Sequence, residues 1–161
     1  MVVLILGSPS DESFATQIVE ALRELLIPCE VRIASAHKSP RHLLGILEAY
    51  EADPSPKVYI TVAGRSNALT GLVDAQVTAP VVACPPYSEK FAGGDLLSSL
   101  RVPSGVAPAV VLEPHNAALL AAKILGLADP DISSRVAMAQ KMHRQRILDA
   151  DGARRNAALP D

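Results

Sequence analysis

The chain reads as short apolar strand-like runs separated by segments in which apolar residues return at helical spacing. The β-rich runs are VVLILG (2–7), CEVRIA (29–34), KVYITVAG (57–64), PVVAC (80–84) and PAVVL (108–112). Between most of them lie helical patterns. Residues 11–26 carry Phe14, Ile18, Leu22 and Leu25 at helical spacing, with acidic residues in the first turn, where the helix dipole favours them. Residues 40–50 open with a proline suited to a first helical turn and repeat Leu43, Leu44 and Leu47 on one face. A small-residue helix is expected over 114–127, and an amphipathic one, positively charged in its middle, over 131–149. Strict alternation of strand and helix implies right-handed crossovers and a parallel sheet, hence an α/β protein whose functional residues gather at the carboxyl ends of the strands. No repeat, linker or low-complexity segment interrupts the pattern, so residues 1–150 read as one domain and 151–161 as a tail expected to fray.

Composition narrows the reading. A chain of 161 residues can build one domain with a real core but not two of ordinary size. Hydrophobic residues make up 49% and aromatic residues 3%, so the core must come from Ala, Val, Leu and Ile, which suits buried parallel strands under helices. A net charge of -2, with no Lys/Arg run beside aromatics, gives no footprint for nucleic acid. The N-terminal MVVLILGSPSD lacks a basic flank and a cleavage site, and nothing later approaches a membrane-spanning length, so no membrane partner is expected. Cys29 and Cys84 lie far apart, outside any C-x-x-C pair, which indicates neither a disulfide framework nor a zinc site and fits a reducing cytoplasm.

Candidate chemistry concentrates in three loops that follow the first three strands and should open on one rim. In GSPSD (7–11), Gly7 permits a tight turn, while Ser8, Ser10 and Asp11 surround a helix start with hydroxyls, amide donors and a carboxylate, as an anion or ribose site requires. The same residues also suit plain helix capping. In SAHKSP (35–40), His37 could be an ordinary surface histidine, but Lys38 beside it changes the balance. The imidazole can accept a proton while the ammonium holds an anionic group near it, with Ser35 adding a hydroxyl. In AGRSN (63–67), amides near Gly64, the Arg65 guanidinium and the Ser66 hydroxyl suit a carboxylate or phosphate, and a helix cap with a solvated arginine is the simpler alternative. His42, His115 and His143 lack ligand spacing, so no metal is expected, and Cys84 before Pro85 reads as core packing.

Taken together, GSPSD, SAHKSP, AGRSNALTG, CPPYSEKFAGGDLLSSLRVPSG and NAALLAAKIL resemble, in order from about residue 3 to residue 127, the PurE family of purine biosynthesis. The resemblance implies a flavodoxin-like three-layer α/β/α sandwich with a central parallel sheet. It also implies interconversion of aminoimidazole ribonucleotide and its carboxylated forms with no cofactor, and a symmetric homo-oligomer, commonly an octamer, with sites at subunit contacts. The mutase branch of that family typically has Arg after the SAH histidine and a histidine in the loop after the third strand. Lys38 and AGRSNALTG look instead like the branch that carboxylates aminoimidazole ribonucleotide directly with carbon dioxide and includes the carboxylase half of the animal bifunctional enzyme. On that resemblance His37 falls on the catalytic position, and Ser8, Asp11, Ser35, Lys38, Gly64 and Ser66 on ligand-binding ones, while Ser10 and Arg65 are added for their chemistry. The rivals are the mutase and a non-catalytic flavodoxin-like module that binds a nucleotide or flavin, flavin being disfavoured by the scarcity of aromatics.

Overall fold

Strand β1 (Val2–Leu6) is an unbroken run of Val, Leu and Ile, and every one of its side chains is buried. A strand with no polar alternation has no face for water, so it must lie in the middle of a covered sheet. In the computed structural model, which describes residues 1–156, that is its place. β2 (Cys29–Ile33), β1, β3 (Val58–Val62), β4 (Val81–Ala83) and β5 (Ala109–Val110) form one sheet in the order β2-β1-β3-β4-β5. All pairings are parallel, and β1 pairs over its full length with both neighbours, Val2 opposite Cys29 on one side and Val58 on the other.

The two faces of the sheet carry separate cores. Val2, Leu4, Leu6, Val58, Ile60 and Val62 pack under α1 (Glu12–Glu24), under α5 (Pro114–Leu125) and against the first turns of α6 (Pro130–Asn156). Val3, Ile5, Tyr59 and Val81 face α2 (Pro40–Glu51) and α3 (Ala68–Gln76) through Leu43, Ile46, Leu47, Leu69 and Val73. Helix, sheet, helix is the expected three-layer sandwich, and the strand order is the flavodoxin-like one. Scarce aromatics are answered by α5, where Ala117, Ala118, Ala121 and Ala122 are wholly buried and bring the helix backbone close to the sheet. Each fully buried Leu or Ile of the two cores contributes about 1.5–3 kcal/mol.

Four differences from the sequence reading stand out. The fifth strand shrinks from 108–112 to Ala109–Val110. Helix α3 has no counterpart among the helical patterns of the sequence. The long connection after β4 holds only short turns and a single helical turn, α4 (Leu97–Leu100). The last helix does not stop at residue 149 but continues to Asn156, through the first part of the segment expected to fray, while residues 157–161 lie outside the described residues. Its residues 141–150 are all exposed, so the second half leaves the body of the domain. Among the described residues no helix is long and apolar enough to cross a membrane.

In this strand order the chain crosses from β2 over β1 to β3, so the connections leaving β1 and β3 diverge to opposite faces. The crevice at that switch point, at the carboxyl ends, is where sheets of this kind bind ligands.

Candidate active site

The loop after β1 is pinned by the sheet. Gly7 donates its N–H to the Val62 carbonyl at 2.9 Å, and a Cβ on Gly7 would lie 3.2 Å from the Ala63 Cβ, tighter than most carbon contacts. A side chain there would have to push Ala63 aside by a few tenths of an ångström, so the loop tops of β1 and β3 touch. Ser8 caps a short turn, Pro9–Asp11, accepting from the Ser10 N–H at 3.3 Å and the Ser10 hydroxyl at 2.9 Å. Asp11 stands at the N-cap of α1 but its carboxylate makes no capping bond. Ser8 thus shapes the turn, and Asp11 keeps acceptor capacity. Burial pushes the Asp11 carboxyl above its ordinary value, with a backbone hydrogen bond at Ser8 pulling the other way.

The loop after β2 is organised by its own hydroxyls. Ser35 donates its N–H to the Ser39 Oγ at 3.0 Å, and its own Oγ accepts the Lys38 N–H at 3.2 Å. Ser39 sits at the N-cap of α2 without capping it, because its hydroxyl is turned back into the loop. The result is a tight turn over Ala36–Lys38 that leaves the His37 and Lys38 side chains exposed.

The loop after β3 is held from a distance. Asn67, 5% exposed, caps α3 by accepting the Thr70 N–H at 3.2 Å and the Thr70 hydroxyl at 2.7 Å, and donates to the Ser99 Oγ at 2.8 Å. Helix capping therefore falls to Asn67, which frees Ser66 to face outward. Arg65 has a φ of 61°, the left-handed region that side-chain-bearing residues rarely adopt. Its N–H donates to the Asp95 Oδ2 at 2.9 Å, and its carbonyl accepts from the Ser98 hydroxyl at 3.2 Å.

These loops enclose a cleft of about 500 Å3 lined by Gly7, Ser8, Ser10, Asp11, Ser35, Ala36, His37, Lys38, Ala63, Gly64, Arg65, Ser66 and Leu69. All nine residues expected at the site, His37, Lys38, Ser8, Ser10, Asp11, Ser35, Gly64, Arg65 and Ser66, fall on its wall. The wall thus offers backbone amides, hydroxyls, one carboxylate, an imidazole, an ammonium and a guanidinium. Such a set can hold an anion and move a proton.

The remaining histidines stay apart, His42 within α2, His115 in the first turn of α5 and His143 on the exposed part of α6. Among the described residues no group of three or more His, Cys, Asp or Glu side chains is placed to hold a metal ion. Cys84 is fully buried in the core, with its thiol pushed up to about 12 chiefly by burial, which makes it a packing residue and not a nucleophile. Sequence reasoning missed the bracing residues Asn67, Asp95, Ser98 and Ser99. For Asn67 a signal existed, an Asn directly before an apolar helical run. For the other three, partners about thirty residues away leave no local trace.

Comparison with known proteins is consistent along nearly the whole chain. A family described as AIR carboxylase matches residues 1–146. The chain is 48% identical over 151 residues to a phosphoribosylaminoimidazole carboxylase of Treponema denticola, covering 94% of this chain and 95% of that one. It is 49% identical over 149 residues to a protein of the same name from Archaeoglobus fulgidus, covering 92% of this chain and 82% of that one. The crystal structure of Treponema denticola PurE superposes with a TM-score of 0.93 at 48% identity, over 94% of this chain and 96% of that one.

Proposed function

The chain belongs to the AIR carboxylase family, and from that premise we propose that it carboxylates 5-aminoimidazole ribonucleotide directly with carbon dioxide, His37 moving the proton. The product is 4-carboxy-5-aminoimidazole ribonucleotide, an intermediate of purine biosynthesis, and the reaction uses neither ATP nor a cofactor. The observation that carries this reading is the meeting, in one cleft, of a histidine, a lysine and two loops rich in amide and hydroxyl donors.

The aminoimidazole ring is an electron-rich enamine at C4. Its electron pair attacks the carbon of carbon dioxide, forming the new C–C bond and leaving C4 with both a hydrogen and a carboxylate. Aromaticity returns when the C4–H bond breaks and its proton passes to the His37 imidazole, which then releases it to solvent. In the reverse direction the imidazolium protonates C4 and carbon dioxide departs, as microscopic reversibility requires. Since the ring needs no external activation, the protein's work is to hold two small reactants in line.

Lys38, Ser35 and the Gly64–Ser66 loop supply fixed donors for the anionic groups of substrate and product, while Ser8 and Ser10 line the helix start suited to phosphate. Asp11, an acceptor when ionised, fits ribose hydroxyls better than phosphate. Arg65 adds a guanidinium at the rim. Direct carboxylation is favoured over the mutase reaction because residue 38 is lysine and the loop after β3 has no histidine. The protein works in the cytoplasm, a reading supported by free Cys29 and Cys84, and assembles as a homo-octamer, supported by the exposed half of α6.

The test supplies aminoimidazole ribonucleotide with bicarbonate, or its N5-carboxylated isomer alone, without ATP, and follows the C4-carboxylated product by ultraviolet absorbance. Turnover should rise with dissolved carbon dioxide and exceed that of the isomer. His37→Asn should lower it by about 10²–10⁴-fold while nucleotide binding largely survives. Faster conversion of the isomer refutes the branch, and near wild-type turnover of His37→Asn refutes the base.

A further inference from the structure

The segment after β4 contributes no residue to the wall of the cleft, yet it fixes the backbone of one wall. Asp95 Oδ2 accepts the Arg65 N–H at 2.9 Å. The Ser98 hydroxyl shares its one hydrogen between the Asp95 carbonyl at 2.7 Å and the Arg65 carbonyl at 3.2 Å, and its Oγ accepts the Asn67 N–H at 3.0 Å. Both polar main-chain groups of Arg65 are thus held from outside the loop, at the one residue of that loop in the left-handed region.

A left-handed residue in a tight turn draws neighbouring N–H groups into a concavity that accepts an anion. For a residue with a Cβ that conformation is strained and persists only where the surroundings enforce it. Asp95 is the enforcing contact on the amide side. Because its carboxylate occupies the Arg65 amide, the main-chain donors this loop can offer the cleft are the amides of Gly64 and Ser66, beside the Ser66 hydroxyl and the Arg65 guanidinium.

We propose that Asp95 is a positioning residue, whose carboxylate holds the Arg65 amide and so sets the left-handed turn that aims Gly64 and Ser66 at the anionic group of the ligand. This rests on the carboxylation reading for its substrate but not for its geometry. Asp95 acts on the reaction only through the shape of the loop.

Asp95→Ala should lower kcat/KM for aminoimidazole ribonucleotide by about 10–100-fold, the loss expected for one hydrogen bond to a charged group. Asp95→Asn retains an acceptor oxygen and should recover most of it. The decisive measurement is a double-mutant cycle with Arg65→Gly, because glycine adopts a φ near +61° without help. In that background Asp95→Ala should cost several-fold less than in the wild type. A purely structural role for Asp95 would give equal losses in both backgrounds, and equal losses overturn the proposal. Amide hydrogen exchange of segment 63–67 supplies a readout independent of the reaction. Exchange faster in Asp95→Ala than in wild type supports the clamp even if the protein fails to carboxylate the nucleotide, whereas unchanged exchange and unchanged kcat/KM reject it. Should Asp95→Ala not fold, Asp95→Ser, too short to reach the amide, carries the same comparison.

Discussion

Replacing Asn67 by Ala attacks the junction between the fold and the site. Asn67 is buried and makes three side-chain hydrogen bonds, two to Thr70 and one to Ser99. Loss of the N-cap alone costs about 1 kcal/mol. Removing the side chain also strands the Ser99 hydroxyl, on a residue 3% exposed, and removes one partner of the Thr70 hydroxyl, which keeps its 2.6 Å contact with Thr61. A buried group left without a partner costs about 1–3 kcal/mol, which applies to Ser99, whereas Thr70 keeps its Thr61 contact and is not stranded. The sum is about 2–4 kcal/mol, which for a chain of this size lowers Tm by roughly 5–15 °C. Thermal unfolding followed by circular dichroism, at one fixed protein concentration because assembly shifts Tm by mass action, measures it. Asn67→Ser restores the cap but not the bond to Ser99, and should cost about half as much. A Tm for Asn67→Ala within about 2 °C of wild type would refute the bookkeeping, as would a Ser variant no better than Ala.

Asp11→Asn should raise Tm at neutral pH while weakening nucleotide binding. Burial raises the Asp11 carboxyl above 3.8 in the folded chain, so the folded state binds a proton more tightly than the unfolded one, and stability falls as pH rises through that window. The advantage of Asn should therefore shrink as pH falls below the raised value and vanish below 3.8, which thermal melts across a pH series will show. The proposed octamer is checked by multi-angle light scattering, which should give eight times the chain mass of 16.9 kDa. A fully active monomer would contradict it.

The sheet was legible because its strands are encoded locally. Val2–Leu6 has no polar residue, and the 57–64 run is bounded by Pro56 and Gly64. Site loops followed at once, since alternation of strand and helix fixes which strand ends share a rim. Helix α3 escaped notice because Thr70, Gly71 and Asp74 interrupt its apolar stripe directly after a glycine-bearing loop, and its identity depends on tertiary burial of Leu69 and Val73. The end of α6 was misplaced because Gly152 reads as a stop, whereas an exposed helix tolerates one glycine for about 1 kcal/mol. The bracing of Arg65 by Asp95 and Ser98 lay beyond sequence reading altogether, because hydrogen bonds spanning |i−j| of 30 and 33 leave no periodicity to detect.

That bracing also gives the site a history. A growing chain has β1, β2 and β3, with all three loops, before it has Asp95, Ser98 or Ser99, the side chains that brace the third loop. At roughly 5–20 residues per second of synthesis, the turn at Arg65 waits roughly 2–6 s for its anchor. During that interval no contact from downstream opposes its relaxation to an ordinary right-handed or extended backbone, and the third loop stands without its brace. On the proposed reading, nucleotide would stabilise a polypeptide made past residue 99 more than a shorter one.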